Sequence, residues 1–174
     1  MGLGTLDWVP ALDRRDLLAD PVARAVEGVA DAVAVAPIDP ALADTAAFCE
    51  RYGVALDESA NCVIVTAKRG GETRYAAVMV LATMRADVNG VIRRHLDARK
   101  TSFAAQEDAV ARSGMEYGGI TPLGLPDDWP VLVDTEVARR PEVVIGSGVR
   151  GSKLALAGDV LARLKTAEVL SLAR

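Results

Sequence analysis

Between residues 114 and 130 the chain reads GMEYGGITPLGLPDDWP, four glycines and three prolines in seventeen positions. Proline fixes its backbone φ and removes a donor. Glycine opens positive φ and lets another backbone come close. A linker of this composition would be polar, yet Met115, Ile120, Leu123, Leu125 and Trp129 run through the stretch. The segment therefore reads as a stiff loop anchored on a core. It presents main-chain N–H groups with little side-chain cover. A second glycine loop, GSGVRG, occupies residues 146–151. Any fold for this chain has to accommodate both.

The 174 residues suffice for one domain with a real core. Aromatic residues make up only 4% against 51% hydrophobic overall, so Ala, Val and Leu must build that core. Asp20 and Pro21 suit the cap and first position of a helix, with Val22, Val26 and Val29 as its apolar stripe. Residues 33–38 read as a strand, and 45–52 as a helix capped by Asp44 or Thr45 and stopped at Gly53. Residues 61–66 and 74–84 are strands joined by a turn with Gly70-Gly71 at its tip, which makes a hairpin. A helix over 88–97, a short strand at 101–103 and a helix over 106–113 follow. Beyond the Gly/Pro loop come strands at 130–134, 142–145 and 153–156, then a last helix at 158–164. This order predicts a single α/β domain of α+β character. Its sheet is curved and mixed but mostly antiparallel, with helices packed around it. Residues 19–174 form the domain, and 1–18 an N-terminal extension packed on it.

The longest apolar run, residues 76–82, is too short to span a bilayer. The first twenty residues lack a basic start followed by an apolar block. A cytoplasmic protein with no membrane partner is expected. Cys49 and Cys62 read as small buried hydrophobes in a reducing compartment. The net charge of −4 excludes a global pull on nucleic acid. A polyanion would need local patches, for which Arg93, Arg94, Arg99 and Lys100, and separately Arg139 and Arg140, are the candidates.

Standard catalytic motifs fail. Residues 146–151 match G-x-G-x-x-G, but a strand follows where a dinucleotide fold requires a helix. Ser152 precedes Lys153, the reverse of the order in a nucleotide-binding P-loop. Ser147 lacks the glycine two positions earlier that a nucleophile elbow needs, because Ile145 stands there. The only histidine, His95, lies on an expected helix surface, and no Cys/His cluster has metal spacing. No cofactor or metal is expected. What remains is two glycine loops whose backbone amides suit an oxyanion developing on an ester or amide carbonyl.

The segments GMEYGGITPLGLP, VLVD and VIGSGVRGSKLAL resemble the YbaK/EbsC-like family, free-standing relatives of the editing domain inserted in bacterial prolyl-tRNA synthetases. The likeness runs over residues 20–164 and centres on GGITPLG at 118–124. It implies the fold of that editing domain and an aminoacyl-tRNA deacylase acting in trans in the cytoplasm. Such an enzyme hydrolyses the ester of a mischarged tRNA with a backbone oxyanion site and no side-chain nucleophile. The resemblance assigns catalysis to Gly118, Gly119, Asn61 and Lys153, and substrate binding to Thr121, Pro122, Gly146, Ser147, Gly148 and Arg150. The partner it implies is the 3′ end of a mischarged tRNA, and a homodimer is compatible with it. Two departures stand out. Asn61 occupies the place of the family's frequent pocket lysine, and Lys153 the place of a frequent acid. Together they imply that a cation has moved from one wall of the pocket to another. Loss of the first lysine leaves a non-catalytic aminoacyl- or tRNA-end-binding module as one alternative. The acidic net charge leaves a binder or hydrolase of a small acylated metabolite as another.

Overall fold

The computed structural model of the protein describes residues 3–174. Among the described residues nine strands and six short α-helices alternate. β1 (Val9–Pro10), α1 (Asp20–Val26), β2 (Ala34–Pro37) and α2 (Thr45–Tyr52) come first. β3 (Ala60–Arg69) and β4 (Glu72–Leu81) form the long hairpin, turning at Gly70 and Gly71. A wide helical turn, Val88–Ile92, leads into α3 (Arg93–His95). Then come β5 (Lys100–Phe103), α4 (Gln106–Ser113), β6 (Val131–Asp134), α5 (Thr135–Ala138), β7 (Val143–Gly146), β8 (Ser152–Leu156), α6 (Gly158–Ala162) and β9 (Ala167–Leu170). No helix among the described residues is long and apolar enough to cross a membrane.

The strands form two sheets rather than the one curved sheet expected. A four-stranded sheet runs β1-β2-β8-β7, antiparallel throughout. A five-stranded sheet runs β5-β3-β4-β6-β9, antiparallel up to β4 and parallel beyond it. A single parallel bridge between Ser59 and Val144 joins them. Side chains of a strand alternate between faces, and β4 shows what that does here. Ala77, Met79 and Leu81 enter the main core. Ala76, Val78 and Val80 enter a second core with Ile92 and Leu96. A strand buried on both sides reads as an unbroken apolar run, which is why residues 76–82 are so apolar without spanning a membrane. A third core gathers Phe48 and Cys49 of α2 with Val144 and Ala155.

Several boundaries differ from expectation. Ala19 is the cap of α1 and Asp20 its first residue. Val29 leaves the helix at φ −137°, so its stripe stops at Val26. β1 and β9 were not expected from the sequence. Each is short, and each is held by a distant neighbour, β2 and β6 respectively.

Candidate functional site

The two glycine loops meet. A Cβ placed on Gly146 would sit 2.6 Å from the Gly119 carbonyl oxygen, and one on Gly119 within 2.9 Å of the Val149 backbone. Only residues without side chains permit that approach. The Gly148 N–H donates to the Gly119 carbonyl at 2.7 Å, and the Glu116 N–H to the Gly148 carbonyl at 2.9 Å. Glu116 reaches back, its carboxylate accepting from the Arg150 N–H at 2.8 Å. The Arg150 guanidinium donates to the carbonyls of Tyr117 and Pro40 at 3.2 and 3.3 Å. The loops are thus one rigid unit.

That unit forms one wall of a half-enclosed cleft of about 500 Å³. The start of β3, the N-terminal end of α2 and the β5–α4 junction also line it. Among the expected site residues, Asn61, Gly118, Gly146 and Lys153 border the cleft. Thr45 Oγ1 donates to Asn61 Oδ1 at 2.7 Å, which orients the Asn61 amide. Lys153 is 8% exposed. Its ammonium donates to the Ala43 carbonyl at 3.0 Å and lies 5.2 Å from the Phe48 ring centre. Burial is the main cause that lowers its pKa to about 8. Gly118 has φ +83°, and a Cβ there would press on the Arg150 guanidinium.

The other expected residues stand behind the wall. The Gly119 N–H is committed to the Glu116 carbonyl at 2.9 Å, so this amide is not free for a substrate oxygen. Gly118 and Ile120, on either side of it, both border the cleft. Neither of their N–H groups has a protein acceptor among the described residues. The uncommitted amides on this wall are therefore those of 118 and 120, while that of Gly119 is used within the loop. Thr121 is fully buried, with an Oγ1 that lacks a protein partner, and Pro122 is buried beside it. Ser147 is buried too, with Oγ 2.7 Å from that of Ser152 and 3.1 Å from the Val149 and Ser152 carbonyls. It braces the loop. Gly148 packs on Ala19, and Arg150 ties the loops together.

Among the cleft residues that were not foreseen, Cys62, Phe103 and Tyr117 stand out. Cys62, expected in the core, is on the wall, but its apolar surroundings push the thiol up to about 12, which leaves no thiolate at neutral pH. Phe103 and Tyr117 border the cleft while 66% and 55% exposed. Every other aromatic residue has a protein partner: Phe48 with Tyr52, Tyr75 stacked on Trp129, and Trp8 donating to the Leu3 carbonyl. Tyr117 lies within the Gly/Pro motif, yet nothing in the sequence tells an outward tyrosine from a buried one. His95 pairs with Glu168 at 2.6 Å and does not border the cleft.

The basic residues divide. Arg139 and Arg140 are met by Glu136 and Asp57. Arg99 and Lys100 join Lys68 around a second hollow of about 400 Å³ at the hairpin tip. Arg69 there is paired with Asp97 at 3.0 Å. Lys68 and Lys100 face each other directly across β3 and β5.

A model of the aminoacyl-tRNA editing domain matches residues 39–164, a span holding both loops and every strand that builds the cleft. Among solved structures, hypothetical protein APE2540 is 19% identical with a TM-score of 0.78, covering 89% of this chain and all of its own. A scaffold from epitope backbone grafting by computational design is 20% identical, TM-score 0.76, covering 90% of this chain and 97% of its own. A candidate trans-editing enzyme for prolyl tRNA synthetase is also 20% identical with TM-score 0.76, covering 90% of this chain and 96% of its own. At these identities the structures speak for the fold alone. The family match is of another kind, since it spans most of the sequence together with the loops that shape the cleft, and on it the chain belongs to the aminoacyl-tRNA editing domain family.

Proposed function

We propose that the protein is an aminoacyl-tRNA deacylase that acts in trans in the cytoplasm and hydrolyses the ester of a mischarged tRNA. The observation that carries this is the pair of uncommitted amides at Gly118 and Ile120 on the wall of a cleft. In ester hydrolysis, water adds to the acyl carbon and the carbonyl oxygen becomes an oxyanion. The intermediate then expels the ribose oxygen, which leaves with a proton. Two preset N–H donors act where that negative charge develops. The ester is already activated, so holding it and a water in place supplies much of the remaining rate. Neither a serine–histidine pair nor a thiolate borders the cleft. The nucleophile is therefore water, assisted by groups of the substrate.

Two features support an RNA partner. Phe103 and Tyr117 offer exposed rings at the mouth, where unpaired bases stack. Lys68, Arg99 and Lys100 form no ion pair among the described residues. Like charges directly opposite across a ladder destabilise it, and a phosphate between Lys68 and Lys100 relieves that repulsion. β5 carries Lys100 at one end and Phe103 at the other, so backbone and base contacts lie on one strand.

The test is a panel of tRNAs each carrying a wrong amino acid, incubated with the protein at low salt. Release of free amino acid from at least one is expected. Salt-dependent tRNA binding without turnover of any member would replace the deacylase by a binding module. Absence of both would point to a small acylated metabolite.

A further inference from the structure

Lys153 is a cation without an anion. It lies on β8 between Ala36 of β2 and Gly146 of β7, inside the four-stranded sheet. No carboxylate approaches its ammonium within ion-pair distance among the described residues. Its titratable neighbours are Cys49, Arg150 and Asp44. The Asp44 side chain is 78% exposed and lies 3.9 Å from Arg150. Cys49 is buried, and that burial raises its thiol pKa. An ammonium carries three N–H donors, and one protein acceptor, the Ala43 carbonyl, is present. Burying a charge in this way is unfavourable unless a partner arrives.

The rest of the polar lining repeats the imbalance. The Asn61 amide oxygen already accepts from Thr45, so its NH₂ group is what remains. That group has no acceptor among the described residues, and neither do the Gly118 and Ile120 amides. The cleft's accepting side chains, Asp44 and Gln106, are exposed, whereas the Lys153 ammonium is buried with the Ala43 carbonyl as its one acceptor. A neutral ester uses two of those donors for its carbonyl and leaves Lys153 unmatched.

We infer that Lys153, with the Asn61 amide, forms an anion subsite inside the cleft, and that the substrate brings an anionic oxygen group to it. This rests on the deacylase reading and adds the substrate's chemistry. Two parts of an aminoacyl-tRNA end carry such a group: an acidic amino-acid side chain and the phosphate of the terminal nucleotide. The burial of Lys153 favours the side-chain carboxylate, which is compact and ends the acyl group, over a phosphodiester joined to chain on its far side.

The test uses the full chain and ligands that cannot be hydrolysed. The first pair is adenosine bearing aspartate or asparagine through a 3′-amide, isosteres that differ in charge. The second is adenosine 5′-monophosphate and adenosine. Dissociation constants are measured at pH 7, and the Lys153 ammonium is followed by NMR in lysine-labelled protein. The aspartyl compound is expected to bind at least tenfold more tightly than the asparaginyl one, with a rise in the Lys153 pKa on binding. Lys153→Met should abolish the preference and Lys153→Arg should keep much of it. A preference confined to the phosphate pair would assign the same subsite to phosphate. Equal affinities within both pairs in the wild-type protein, or a preference that survives Lys153→Met, would overturn the inference. None of these readouts needs turnover. A protein that shows the subsite but releases no amino acid from any tRNA would refute the deacylase and leave the subsite standing.

Discussion

At the scale of single residues, Lys153 shows how a site is held at a cost in stability. Its pKa falls from 10.5 to about 8, chiefly through burial. The unfolded chain therefore binds its proton more strongly than the folded one. Below pH 8 both states are protonated and the full penalty applies, about 3 kcal/mol at roughly 1.4 kcal/mol per unit. Between pH 8 and 10.5 the folded state releases its proton first and the penalty fades. Lys153→Met is expected to unfold at higher urea concentration than wild type at pH 7. The gap should close as the pH rises through that window. A variant less stable than wild type at pH 7 would contradict the pKa argument. The sequence exposed Lys153 and Asn61 as departures from a familiar pattern. It could not show that Thr45, a helix-cap candidate by its position, spends its hydroxyl on Asn61 instead. Nor could it show which aromatic rings face outward, since exposure depends on what the rest of the chain covers.

At the scale of elements, the two glycine loops act as a pair. Gly146→Ala would push a methyl against the Gly119 carbonyl, where backbone rather than a mobile side chain must give way. Overpacking of this kind costs roughly 2–3 kcal/mol, and the displaced loop would carry the Gly118 and Ile120 amides with it. Chemical denaturation should show that loss, and substrate affinity should fall with it. Unchanged stability would mean that the loops do not touch. The loops were legible because glycine and proline restrict the backbone wherever they occur. The hairpin of β3 and β4 was legible from a local turn between two apolar runs. β9 was not, since its four residues pair in parallel with β6 across more than thirty intervening positions. The division into two sheets was equally hidden, because they meet through an isolated bridge between Ser59 and Val144, residues far apart in the chain.

Across the whole molecule, the C-terminal segment is fastened to the strand that follows the Gly/Pro loop. Asp134, 1% exposed, ends β6 and accepts from the backbone N–H groups of Glu136, Leu172 and Ala173 at 3.0–3.2 Å. Asp134→Ala would leave buried donors unmatched and lower stability by about 3 kcal/mol. Native-state hydrogen exchange should show the effect first at residues 167–174. On the opposite side of the five-stranded sheet, β5 links the hairpin-tip cations to the cleft mouth. Replacing Lys68 and Lys100 by Ala should weaken tRNA binding and reduce the slope of log affinity against log salt by about one for each phosphate no longer neutralised. A wild-type slope in that variant would remove the hairpin tip from the interface. The central claim is that main-chain amides of the fused loops stabilise the oxyanion of a mischarged ester. It is tested most directly by single-turnover deacylation of a mischarged tRNA that the wild type cleaves, with Gly118→Val alongside and both proteins shown to be folded. The variant forces a branched side chain into φ +83° and against Arg150, and its rate constant is predicted to fall at least tenfold. Equal rate constants for the two proteins would contradict the account.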